Sequence, residues 1–336
     1  QAQLAQSNSQ ITNLERVTEV LDPQNETGLP SLIKLNNLAI EKERYLKYFY
    51  ILPQKKYEIA FLVELFGINI NDEDHFEEVL NELVAEGKLD GFNYEYGLDA
   101  SQRRKTFFDE APSSENCERL IQNVIQLVHI DEVEDNPLEK FEYLEYGLSV
   151  ARCIQETTPI IAELYNDIAI LQLHIGSYFE AAIYFEKAVL IAEHCQLEFE
   201  KILYQSNLAN HYTSIMKYNE AKNMLANLIK VDLTKYNDDH LSISKIQSNI
   251  ASLHGTLGEN KKAIKVLETS IQADKNYFGN LHIIVAAKEM KLAIMYSNAG
   301  KSLEGNWELF CEGLKAAGYE LSDIDQVVLT HHHQDH

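Results

Sequence analysis

The sequence predicts an all-α fold of stacked helix pairs, and two repeating features of its 336 residues support this prediction. Four segments align without gaps, at residues 166–181, 206–221, 248–263 and 290–305. The small residue inside each predicted first helix recurs as Ala169, Ala209, Ala251 and Ala293, at spacings of 40, 42 and 42 residues. The predicted turn carries Gly176, Gly258 and Gly300, with Met216 as the exception. A small residue lets two helix backbones approach closely, and a glycine ends a helix where φ must be positive.

The elements before the repeat are predicted in chain order from polarity and helical periodicity. Residues 1–30 are polar and form a lead-in. Helices are expected over residues 31–52, 55–67 and 72–87, the first ended by Pro53. In the third, the apolar residues Phe76, Val79, Leu80, Leu83 and Val84 follow helical spacing. Residues 88–99 then alternate around Asp90-Gly91, which predicts a β-hairpin.

Three helices followed by a hairpin resemble a winged-helix module, which we assign to residues 31–110. The DNA-reading form of that module would place its third helix in the major groove. Here the third helix carries Asp72, Glu73, Asp74, Glu77, Glu78, Glu82 and Glu86. Because DNA phosphates would repel these carboxylates, the resemblance favours a structural or protein-binding module.

The helix pairs are predicted to fill residues 118–310, beginning with a helix from about Glu118. The positions of Ala169, Gly176, Ala181, Phe185 and Ala188 resemble the signature of the tetratricopeptide repeat family. The long spacing and the Asn-x-Ala pieces at 207–209 and 249–251 resemble kinesin light chains and their bacterial relatives. This resemblance implies a right-handed superhelical solenoid whose first helices line a concave groove.

The concave groove is the predicted binding surface for a protein or peptide partner. Mapping the family pattern onto this sequence gives the candidate residues Asn166, Ile170, Leu173, Asn207, Asn210, Lys245, Asn249 and Ile294. An asparagine amide both donates and accepts, so it can hold the backbone of an extended peptide without reading its sequence. The alternative is that the asparagines cap or bridge neighbouring helices. The sequence leaves both interpretations open.

The last residues, 311–336, are predicted to form a helix, a strand and a histidine-rich loop. The spacing of His331, His333, Asp335 and His336 resembles the metallo-β-lactamase signature, in which such residues hold zinc and position a water. In that family further ligands come well after this motif, and here no residue follows His336. We therefore expect at most adventitious Zn²⁺ at this tail, no cofactor and no catalysis.

Composition narrows the remaining function classes. The formal net charge of −23 works against nucleic-acid binding, and the sequence has no apolar stretch long enough to cross a membrane. Cys117, Cys153, Cys195 and Cys311 lie far apart, as suits free thiols in a cytoplasmic protein. The leading prediction is a cytoplasmic protein- or peptide-binding repeat module without catalysis.

Two alternatives belong to other classes. The first is a metal-dependent hydrolase that uses the histidine-rich tail. The second is the ligand-sensing part of a bacterial STAND-type NTPase, since a winged helix followed by tetratricopeptide repeats resembles the rear half of such proteins. No GxxxxGK[ST] motif for the nucleotide is present in this sequence. The sequence defines neither the partner nor the oligomeric state.

Overall fold

The computed structural model describes residues 28–99, 113–130, 137–236 and 239–299, together with Lys315. These residues belong to two compact units. The first contains the described residues up to Val124 and the segment Leu148–Glu156; the second contains Ile125–Gly147 and the described residues from Thr157 onward. The predicted lead-in up to residue 27 and the tail from residue 311, apart from Lys315, lie outside the described residues.

The first unit contains helices and a small antiparallel sheet. Its elements are α1 (Gly28–Ile51), β1 (Tyr57–Glu58), α2 (Ile59–Phe66), a 3-10 turn (Ile70–Asp72), α3 (Glu73–Ala85), β2 (Leu89–Phe92) and β3 (Glu95–Leu98). The strand order is β1-β3-β2, with β3 antiparallel to both neighbours. The predicted helix over 55–67 is therefore a strand and a helix, because Tyr57 and Glu58 pair with β3. The winged-helix assignment itself stays a prediction.

The hairpin turn lies at Asn93-Tyr94, and the prediction that placed it around Asp90-Gly91 is wrong. Asn93 and Tyr94 have φ values of 54° and 62°, whereas Gly91 is a strand residue opposite Tyr96. A Cβ on Gly91 would come within 2.7 Å of Val84 Cγ2. Glycine is therefore needed there for the close approach of β2 to α3, and not for a turn.

Aromatic rings fill the core of the first unit. The ring centroid of Phe66 in α2 lies 4.9 Å from that of Tyr48 in α1, edge to face, and 5.9 Å from that of Phe76 in α3. Tyr45 and Phe76 meet in the same way, with centroids 4.9 Å apart. Edge-to-face pairs at these distances are favourable beyond the area that they bury, so they fix how the three helices meet.

The second unit contains consecutive antiparallel helix pairs. Two helices, α4 (Glu118–Val128) and α6 (Leu144–Cys153), contribute residues to both units, and α5 (Pro137–Lys140) is a single turn. The pairs that follow are formed by α7 (Pro159–His174), α8 (Tyr178–His194), α9 (Glu198–Ser214), α10 (Tyr218–Leu228), α11 (His240–Thr256), α12 (Asn260–Phe278) and α13 (Ile283–Asn298). Each of these helices packs against the next, and α9 also packs against α11.

The repeat positions have the roles that the sequence predicts. Ala169 and Ala209 are fully buried, and Ala251 is 1% exposed. Gly176 and Gly258 end α7 and α11 with φ values of 84° and 77°. Met216 takes the same left-handed conformation, with φ of 61°, although its side chain disfavours it. The prediction of tandem helix pairs is confirmed.

A buried ionic cluster joins α11, α12 and α13. The carboxylate of Asp274 is fully buried and lies 2.7 Å from the Nζ atom of Lys288. Lys288 is itself only 3% exposed. His240 Nε2 is 2.9 Å from Asp274 Oδ1, and Ser244 Oγ donates to Asp274 Oδ2 at 3.2 Å. Burial lowers the pKa of Lys288, while the hydrogen bond to Asp274 opposes this effect. Removing one partner of such a buried ion pair leaves the other charge uncompensated, which destabilises the fold strongly.

The substitution Lys288→Met tests this cluster. It leaves the Asp274 carboxylate buried without its cation, so we expect the free energy of unfolding to fall by about 3–5 kcal/mol in urea titrations. The double variant Asp274→Leu/Lys288→Met removes both charges and is expected to recover most of that loss. A Lys288→Met protein as stable as the wild type would contradict the assignment.

Candidate functional site

Side-chain hydrogen bonds join three of the four predicted asparagines along successive first helices. Asn207 Nδ2 donates to Asn166 Oδ1 at 2.9 Å, and Asn249 Nδ2 donates to Asn207 Oδ1 at 2.8 Å. Asn249 Nδ2 also lies 3.1 Å from Ser206 Oγ. Because these residues belong to α7, α9 and α11, the bonds cross three helices. We call Asn166, Asn207 and Asn249 the asparagine ladder.

The ladder follows from the repeat. Asn207 and Asn249 each stand two residues before the buried alanine of their helix, Ala209 or Ala251. The alanine lets its helix pack closely on the second helix of the same pair, and a short amide side chain spans the gap to the next first helix. Because the ladder residues are at most partly exposed, an amide left without its partner would lose hydrogen bonds that water replaces only in part.

Charged residues extend the ladder at both ends. Asp167, 5% exposed, accepts from Asn166 Nδ2 at 3.1 Å and lies 2.9 Å from His129 Nδ1. At the other end, Lys291 Nζ of α13 donates to Ser248 Oγ of α11 at 2.8 Å. Side-chain polar contacts therefore link α7 to the residue after α4 at one end and α11 to α13 at the other.

Sequence reasoning missed Asp167, Lys291 and His129 as parts of this site. A signal for the first two existed, since Asp167 and Lys291 occupy the repeat position of Asn207 and Asn249, two residues before the small residue. His129 had no such signal, because it lies outside the four aligned segments.

The structure uses the ladder asparagines to bridge helices, which was one of the two interpretations. Asn207 donates and accepts within the ladder, and Asn249 Nδ2 lies within hydrogen-bonding distance of two oxygens. These groups are thus engaged within the protein. Contact between the ladder and a peptide stays a prediction.

The other predicted site residues differ in exposure. Lys245 is exposed and Ile294 is 55% exposed, whereas Ile170, Leu173 and Asn210 are half-buried. Ile170 and Leu173 pack in part against the core cluster around Phe185. The Asn210 side chain makes no hydrogen bond within the described residues. Asn210, Lys245 and Ile294 therefore present groups that a partner could contact.

Acidic side chains gather near α7 and α9. Desolvation and the neighbouring Asp167 carboxylate raise the pKa of Glu163. Burial, together with the carboxylates of Glu163 and Asp167, raises the pKa of the Tyr204 hydroxyl. Lys245 and Lys291 lie on α11 and α13 instead. The charge of the first helices therefore changes sign along the repeat.

The predicted metal ligands His331, His333, Asp335 and His336 lie outside the described residues. Within the described ranges, no group of three or more His, Cys, Asp and Glu side chains is arranged to hold a metal ion. None of the helices described here is both long enough and apolar enough to cross a membrane.

The helix pairs define an α-helical repeat protein. Three solved structures are similar to the chain. Kinesin-light-chain TPR-like repeats from Podosopora anserina share 19% identity, with a TM-score of 0.44, over 61% of this chain and 94% of theirs. BtubC from P. vanneervenii shares 16% identity, with a TM-score of 0.43, over 65% and 86%.

The third is a signal transduction ATPase with numerous domains (STAND) that carries a tetratricopeptide repeat sensor, from Pyrococcus horikoshii. It shares 16% identity, with a TM-score of 0.42, over 82% of this chain and 44% of its own. A family model, the metallo-beta-lactamase superfamily, matches residues 294–336. No curated protein sequence matches the chain significantly. The assignment of the fold therefore rests on the helix pairs themselves.

The substitution Asn207→Ala tests the ladder. It removes the central amide and leaves groups of Asn166 and Asn249 without their partners, so we expect a loss of about 1–3 kcal/mol in the free energy of unfolding. The matched control is Asn210→Ala on the same helix, expected to change stability by less than about 0.5 kcal/mol. Equal effects of the two substitutions in urea titrations would show that the ladder contributes nothing specific.

Proposed function

We propose that the helix pairs bind an extended segment of a protein partner across their first helices, without catalysing a reaction on it. One observation carries the proposal. Ile170, Asn210, Ser252 and Ile294 each follow the small residue of their repeat, and none of the four is fully buried. The asparagine ladder links α7, α9 and α11, and the Lys291–Ser248 hydrogen bond links α11 to α13, so these corresponding positions form one row along the first helices. We call them the first-helix row.

The chemistry of the row suits a peptide backbone flanked by apolar side chains. Asn210 in the middle offers donors and an acceptor. Ser252 Oγ donates to the Ser248 carbonyl and offers an acceptor, while Ile170 and Ile294 offer apolar surface at the two ends. Ile294 continues an exposed apolar stripe of α13 that includes Ile283 and Met290, which are 37% and 39% exposed. Apolar anchors combined with backbone hydrogen bonds are the usual means of recognising an extended segment.

Selection of peptides from a displayed random library on the full-length chain tests this function. Ile294→Asp places a charge in the apolar end of the first-helix row, so we expect it to weaken the selected peptides by about tenfold or more. Ile183→Asp is the matched control, because Ile183 is 53% exposed but lies on a second helix, α8. Affinities would be measured by fluorescence anisotropy. Equal losses in the two variants, or no loss in Ile294→Asp, would overturn the proposal.

A second candidate function is metal-dependent hydrolysis by the tail. The metallo-beta-lactamase match over residues 294–336 favours it, since the match includes His331, His333, Asp335 and His336. A catalytic zinc needs at least three protein ligands and an open position for water. The interpretation as a STAND-type sensor region stays a prediction.

Zinc content decides between the two candidates. We expect the purified chain, after dialysis against a weak chelator, to retain well below one zinc ion per molecule, and His331→Ala to change this little. Elemental analysis measures the zinc, and ester and lactone substrates report hydrolysis. Stoichiometric zinc that is lost in His331→Ala, together with turnover of either substrate, would favour the hydrolase.

A further inference from the structure

The outer face of the sheet in the first unit carries an exposed cross-strand row. Phe92 of β2 is directly opposite Glu95 of β3, and Glu95 is directly opposite Glu58 of β1. Directly opposed residues in antiparallel strands point to the same face. All three side chains are exposed, and Phe92 is 78% exposed. An aromatic ring and two carboxylates thus lie side by side in solvent.

The two carboxylates lack a cation. Like charges directly opposite each other destabilise a strand pair, and within the described residues neither Glu58 nor Glu95 forms an ion pair. The next row of the same face is balanced, because Lys56 Nζ lies 3.0 Å from Asp90 Oδ2. Lys56 passes beside Gly97, where a Cβ would come 3.2 Å from Lys56 Cγ. Charge balance is therefore possible on this sheet but is missing in the exposed row.

Tyr94 adds a second exposed ring at the same end of the hairpin. It occupies the second position of the turn with φ of 62°, where glycine is usual, and its ring is 64% exposed. Its carbonyl accepts the N–H of Ile59 at 2.9 Å, which attaches the turn to the start of α2. The turn is thus held in place while it presents an aromatic side chain to solvent.

We propose that Glu58, Phe92, Tyr94 and Glu95 form a docking surface for a lysine or arginine side chain on a partner protein. A cation between Glu58 and Glu95 removes their repulsion and forms charge-assisted hydrogen bonds. The aliphatic stem of that residue packs on Phe92, and the exposed Tyr94 ring, next to Glu95 along the chain, offers a cation–π partner. The carboxylates repel phosphates, so the partner is a basic protein segment and not a nucleic acid.

Binding of a labelled peptide to the full-length chain tests this docking surface. The probe is a fluorescein-labelled octapeptide of alternating glycine and lysine, followed by anisotropy, and a glycine–glutamate octapeptide is the charge control. We expect Glu58→Gln/Glu95→Gln to weaken the lysine peptide at least about fivefold. The matched control, Glu180→Gln/Glu220→Gln, removes the same charge from exposed residues of the second unit and is expected to change affinity less than about twofold.

A second variant separates binding from folding. Tyr94→Gly removes a bulky residue from the left-handed conformation, so we expect a higher melting temperature together with weaker binding of the lysine peptide. Equal losses in the two glutamine double variants would show diffuse attraction by the net charge of −23 and overturn the proposal. Wild-type affinity in both Tyr94→Gly and Glu58→Gln/Glu95→Gln would overturn it as well.

Discussion

The close packing of each first helix on the second helix of its own pair, around Ala169, Ala209 and Ala251, is the constraint on which the repeat depends. These alanines are at most 1% exposed, and their core clusters include residues of the second helices, such as Phe185, Leu225 and Leu267. A bulkier residue at any of them would push the helices apart by more than a close-packed core tolerates. The short amides of Asn207 and Asn249 would then no longer reach their partners.

The asparagine ladder aligns successive first helices with one another. Apolar packing alone allows a helix to slide or rotate at small cost, whereas amide hydrogen bonds at 2.8 Å and 2.9 Å are lost when the helix moves. Because the amides are partly buried, water would only partly replace these hydrogen bonds if they were broken. The positions after the alanines, including Asn210, are aligned for the same reason. A binding row on this surface is therefore a consequence of how the repeats are held together.

The sequence could predict the helix pairs because small residues and turn glycines recur at fixed spacing. It could not decide the role of Asn207, since the position that reaches a neighbouring helix also borders the predicted groove. Asp90-Gly91 misled the hairpin prediction, because Gly91 is required by the nearby Val84 side chain, a contact that local sequence does not reveal. The pairing of Asp274 with Lys288 was hidden as well, because it joins two helices through a buried contact. Periodicity identifies faces of helices but not partners across them.

The acidic residues of this chain differ in their surroundings. This difference distinguishes carboxylates that stabilise the fold from carboxylates that can bind a partner. Asp274 and Asp167 are at least nine-tenths buried, and both are paired, since desolvation makes an unpaired carboxylate costly. Asp274 has Lys288 of a neighbouring helix, and Asp167 has Asn166 and His129. Glu58 and Glu95 are exposed to water, so the lack of an ion-pair partner costs them little free energy beyond their mutual repulsion. A buried charge must find its partner within the fold, whereas an exposed one can take it from another protein. For this reason we place the recognition of a basic partner at the hairpin and not in the ionic cluster.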